Sequence, residues 1–155
     1  MTPHNSRFAA WLGTVAVVVH GIPLVLHGMA HAKLEIYLPS VLANTYIAVV
    51  LYAAPVAAAG LLWAGRIRFG AWLLIGSMVG SLIFEGYNHF LVMSPDHVSQ
   101  VAAGRWGDIF RVTAVASVIT EILACAVGFF VVSAARHTIV PPMPGNTGLS
   151  NTGLK

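Results

Sequence analysis

Four long apolar stretches constrain this chain more than any other feature, because each can cross a hydrocarbon core of about 30 Å at 1.5 Å per helical residue. They predict spans at about residues 8–30, 40–64, 69–93 and 106–134. Composition agrees: 57% of the residues are hydrophobic and 8% are charged, whereas a soluble domain carries roughly 25% charged residues. A water-facing surface cannot be built from so few charges. The expected fold class is all-α: an integral membrane four-helix bundle as a single domain over residues 1–137, with 138–155 as a disordered tail.

The first stretch has a rival reading. Arg7 precedes the apolar run, and Ala30-His31-Ala32 has the small-x-small form of a signal-peptide cleavage site. The run from Phe8 to Leu26 is longer than the usual apolar region of about 7–15 residues in such peptides, which favours a retained helix.

The net charge of +3 comes from basic residues placed mostly at helix ends, so it reads as a topology signal and not as a nucleic-acid surface; no nucleic-acid partner is expected. After an even number of crossings, Arg7, Arg66, Arg68, Arg136 and Lys155 share one side, with no acidic residue among them. Lys33, Arg105 and Arg111 lie on the other side, offset by Glu35, Asp96 and Asp108. This bias predicts a multi-pass cell-membrane protein with both termini cytoplasmic. Trp11, Trp63 and Trp72 at inner helix ends, with Tyr37 and Trp106 at outer ends, fit interfacial aromatic belts.

Between the third and fourth spans, Ser94 suits an N-cap, Pro95 a first helical position and Gly104 a C-terminal cap, predicting a short interfacial helix in the outer loop. Asp96 and His97 in that loop are expected to be solvated, with covering the pocket as the alternative. The prolines at 141, 142 and 144, followed by Asn-Thr-Gly-Leu at both 146 and 151, suggest a tail without chemistry. Cys125 has no partner in the chain for a disulfide and reads as a small apolar filler. Pro23 and Pro55 are expected to kink their helices, Gly76-x-x-x-Gly80 to permit close helix packing, and Asp108 to pair with Arg111.

Ionisable residues inside spans carry the functional signal, because they are costly in lipid and face the protein interior. His20, His27 and His31 project within about 40° of one another on the first helix. On the third, Ser81, Glu85 and His89 follow at four-residue steps with Asn88 beside them; on the fourth, Glu121 follows Ser117 at the same step. His27 and His89 should lie about 6–8 Å inside the outer boundary, and His20, Glu85 and Glu121 about 12–20 Å deep. A single membrane histidine or glutamate ordinarily serves as a hydrogen bond between helices. Two stripes at matching depth are a more expensive arrangement than such a bond requires.

Three chemistries fit these residues. The first is a transition-metal site for iron, copper or zinc, with His27, His31 and His89 as primary nitrogen ligands and His20, Glu85 and Glu121 in or around the shell. A redox-active ion there would make the protein a small oxidoreductase acting on a lipid-soluble substrate. Carboxylate-bridged di-iron bundles space their ligands as Glu-x-x-His, and Glu85-x-x-x-His89 departs from that pattern. The second chemistry is electron transfer by b-type haem held between His27 and His89. The third needs no cofactor: Glu85 and Glu121 act as catalytic acid and base or as a proton relay. Helix two, poor in ionisable groups, is expected to be scaffold.

Overall fold

Uninterrupted apolar runs leave the backbone no partners but its own amides, and here they are helical throughout. The computed structural model describes residues 3–37 and 40–137; the expected tail, 138–155, lies outside them. Helix α1 spans Pro3–Leu34, α2 Val41–Trp63, α3 Ile67–Leu91 and α4 Arg105–His137. All four are long and apolar enough to cross a membrane.

The helices form a ring in which α1 packs on α2 and α4, and α3 packs on α2 and α4, with little contact between α1 and α3 across the centre. α1 starts earlier and ends later than the sequence suggests. Pro3 is tolerated in its first turn, where no amide donor is needed. At the other end Glu35 takes a left-handed conformation (φ 56°), and the Ile36 N–H donates to the His31 carbonyl at 3.1 Å. His31 therefore sits inside the last turn and not beyond the helix.

Two helices widen locally. Pro55 has no N–H to return to the preceding turn, and α2 adopts a π-helical stretch, Ile47–Ala53, immediately before it. α3 ends in a second π-helical stretch, Tyr87–Leu91, where the Asn88 side chain donates to the Phe84 carbonyl at 2.8 Å. Asn88 thus supports the backbone.

The end of the bundle near the N-terminus is filled by small and branched apolar residues, including Ala9, Ala10, Leu62, Ala71, Ile75 and Val131. Close approach is enforced there by glycine: a Cβ on Gly70 would lie 2.9 Å from the Ala58 carbonyl, and one on Gly128 would lie 2.6 Å from Ile75. The Gly76/Gly80 pair divides. Gly80 admits Tyr46, whose hydroxyl donates to the Gly80 carbonyl at 3.0 Å, while Gly76 faces open space. Trp11 and Trp63 meet edge to face at 5.4 Å, and the Trp63 indole donates to Thr14.

The connection between α3 and α4 corrects one expectation. Instead of a short helix, residues 92–104 form successive turns, closed by His97 N–H to the Ser94 carbonyl and Gln100 N–H to the His97 carbonyl. Distant partners hold the loop in this course. An N–H donates only once, and that of Val98 goes to the His89 carbonyl at 3.0 Å, while His89 donates to the Asp96 carbonyl and Arg111 to those of Val98 (3.1 Å) and Val101 (2.5 Å). Arg111 also meets Asp108 at 3.2 Å, as the sequence suggests, but its larger role is to clamp this loop onto α4.

Candidate metal centre

Four-residue spacing puts His27 and His31 one turn apart on α1, and the π-helical end of α3 carries His89 to meet them. The three imidazoles form a group able to hold a metal ion, with one nitrogen from each within 4.8 Å of the others. The converging atoms are the Nε2 nitrogens: His27 to His89 is 3.1 Å and His27 to His31 is 3.2 Å. Nitrogens about 2.0–2.1 Å from a tetrahedral ion stand about 3.3 Å apart, so the spacing is close to that of a shared shell.

The opposite ring nitrogens explain why Nε2 is free to bind. His31 Nδ1–H donates to the Ile36 carbonyl at 3.0 Å, and His89 Nδ1–H donates to the Asp96 carbonyl at 2.9 Å. A carbonyl only accepts, so both imidazoles carry their proton on Nδ1. His27 Nδ1 lies 3.0 Å from the Thr113 hydroxyl, which spends its own proton on the Ile109 carbonyl and so accepts from the ring. Three lone pairs therefore point at one another. Such an arrangement is repulsive in neutral form and favourable around a cation, with the Nδ1 contacts fixing the rings as outer partners of metal-bound histidines do. Phe110, fully buried, packs against all three rings at centroid distances of 4.4, 5.0 and 5.4 Å.

Asp96 corrects a second expectation, because it is not solvated. It is 4% exposed, and its Oδ1 lies 3.2 Å from His31 Nε2 and 3.4 Å from His89 Nδ1. Burial alone would push its carboxyl upward. The close approach of His89, together with attraction to His89, His31 and His27, outweighs burial and holds the carboxyl below its ordinary range. His97 is half-buried, and its Nδ1 meets the Ser99 hydroxyl at 2.8 Å.

The remaining expected site residues divide. His20 shares the stripe but lies almost two turns along α1 from His27; its Nδ1 meets Thr120 at 3.3 Å and it does not join the three-histidine group. Glu85 lines a cavity of about 230 Å³ together with His27, His31, His89 and Asp96. Glu121 is fully buried between α3 and α4 and is not part of that lining. Helix two supplies the opposite wall through Asn44, Ile47, Leu51 and Tyr52, so it shapes the site as well as supporting it. The Nε2 atoms of His27 and His89 stand 3.1 Å apart with His31 against them, closer than the about 4 Å between two axial nitrogens across a haem.

Sequence reasoning did not single out Thr113, Phe110 or the Glu35–Ile36 cap, and it set Asp96 aside. Thr113 was within reach, since it continues the four-residue stripe of Ser117 and Glu121 one turn earlier. Ile36 and Asp96 act through turns whose direction no periodicity reveals. No protein-family model, no curated protein and no solved structure matches this chain significantly.

Proposed function

We propose that this is a membrane metalloprotein whose His27, His31 and His89 hold one transition-metal ion, with the Asp96 carboxylate completing or closely flanking the shell. The convergence of three Nε2 atoms, each freed by an acceptor at Nδ1, carries the reading. Imidazole with a single carboxylate suits iron, copper or zinc better than a hard cation. The adjoining cavity of about 230 Å³ is smaller than typical ligand pockets, so it would take the reacting end of a lipid-soluble molecule and leave the rest among the helices or in lipid. With a redox-active ion the chemistry that fits is oxidoreduction of that molecule. The arginine distribution favours a cytoplasmic location for both termini, which would open the site toward the outer face.

Elemental analysis and an absorption spectrum of protein purified without added metal test this reading. The expected result is about one metal per chain, no Soret band, and loss of the metal in both His27→Ala and His89→Ala. Metal-free wild-type protein, or full occupancy in either variant, contradicts it. The Asp96–His31 contact favours one alternative, a cofactor-free proton relay, and metal-free protein would point there.

A further inference from the structure

Deeper than the imidazoles, α3 and α4 carry four polar side chains that the nitrogen site does not use. Ser81 and Glu85 stand one turn apart on α3, and Ser117 and Glu121 one turn apart on α4. Because the helices are antiparallel, Glu85 comes against Ser117 and Glu121 against Ser81. Exposure is 2% at Glu85 and 0% at the other three.

The serines are the telling residues. A buried helical serine ordinarily turns its hydroxyl back to a carbonyl of the preceding turn, as Ser77 does toward Leu74 at 2.9 Å. Ser81 and Ser117 do not. Their hydroxyls stand against the facing carboxyl groups without meeting them in hydrogen-bond geometry, and with one oxygen of Glu85 and both oxygens of Glu121 they are left unsatisfied and shut off from solvent. Orphaned buried oxygens are rare, and two facing carboxylates cannot both be ionised at this depth without a positive charge between them.

We propose that Ser81, Glu85, Ser117 and Glu121 form a second cation site, distinct from the three imidazoles and selective for a hard divalent ion of the manganese, magnesium or calcium class. The donor set is oxygen only, the chemistry such ions prefer, and two carboxylates neutralise a divalent charge inside an apolar bundle. The nitrogen cluster above it prefers borderline metals, so the two sites sort ions by ligand type. Glu85 also lines the cavity shared with His27 and His89, which gives an ion a way in.

Mn²⁺ is the probe, added to chelator-stripped protein in detergent and followed by loss of the free-ion paramagnetic resonance signal. The inference does not rest on the metal reading of the histidines. The His27→Ala/His89→Ala double variant should therefore still bind Mn²⁺ as wild type does, while Glu121→Gln should bind it at least tenfold more weakly. If Glu121→Gln does not fold, as judged by circular dichroism, the Ser81→Ala/Ser117→Ala pair serves the same purpose and should weaken binding severalfold. Absence of Mn²⁺ binding by wild type at millimolar concentration overturns the proposal. So does binding that survives Glu121→Gln, or that is lost with the histidines.

Discussion

The two ends of the bundle are made by the same four helices from opposite materials. Near the N-terminus, Ala, Val, Leu and Ile interlock, and glycines at 70 and 128 let backbones approach until a methyl group would collide. Near the α3–α4 loop, imidazoles, a carboxylate and a threonine hydroxyl face one another, two helices widen into π turns, and a cavity opens. Lipid supplies no hydrophobic drive to bring helices together, so the first end holds by close packing. The second forgoes packing density to place lone pairs. One end resembles scaffold and the other resembles a site, and the contrast predicts that substitutions will separate stability from ligand binding.

The largest effect is expected at the cluster. His27→Ala or His89→Ala should reduce metal affinity by about 100-fold or more while leaving helix content unchanged, because each removes one of the three converging nitrogens. Isothermal titration with Zn²⁺ alongside circular dichroism checks both halves. At the packed end the reverse should hold. Gly70→Val and Gly128→Leu should each destabilise by roughly 1–3 kcal/mol in denaturant titrations through overpacking, with metal affinity unaltered.

Smaller effects test the supports. Asp96→Asn and Thr113→Val should each weaken metal binding by about 10- to 100-fold, the range expected when an outer partner of a ligand is lost. The pH dependence assigns the proton competition. Protons and the ion compete for the same three imidazole lone pairs, so metal affinity should fall as pH falls. Asp96 should not contribute to that fall. Its carboxyl is held below the ordinary range, so its stabilising charge is present above the ordinary carboxylate value and is lost only as pH drops through the lowered one. A second inflection in the ordinary carboxylate range that disappears in Asp96→Asn contradicts this.

The smallest effect is expected at Glu35, where Gly should relieve a left-handed conformation worth roughly 1 kcal/mol and raise the midpoint of unfolding slightly. A β-branched residue there should lower it and loosen His31 through the Ile36 carbonyl.

What the sequence made legible follows from periodicity. Apolar run length located all four helices to within a few residues, and the four-residue step placed His27 with His31 and Ser81 with Glu85. Matching depth brought His89 to His27, now seen at 3.1 Å. His20 keeps the face of His27 but lies deeper, as its position along the first helix indicates, and meets Thr120 instead of joining the three imidazoles. Periodicity failed wherever the chain leaves helical geometry. The Asp96 carboxylate and the Ile36 carbonyl reach the site through turns set by tertiary contacts, and in place of the interfacial helix the loop is tied to His89 and Arg111. Local signals at Ser94, Pro95 and Gly104 were outweighed by partners distant in sequence.

The central claim is that three imidazoles share one ion through Nε2. X-ray absorption fine structure of the Zn²⁺- or Co²⁺-loaded protein counts those rings directly. Three imidazoles at about 2.0–2.1 Å with at least one oxygen neighbour is the predicted shell. A shell with fewer than two imidazoles, or one unchanged in His31→Ala, would show that the rings gather for some other purpose.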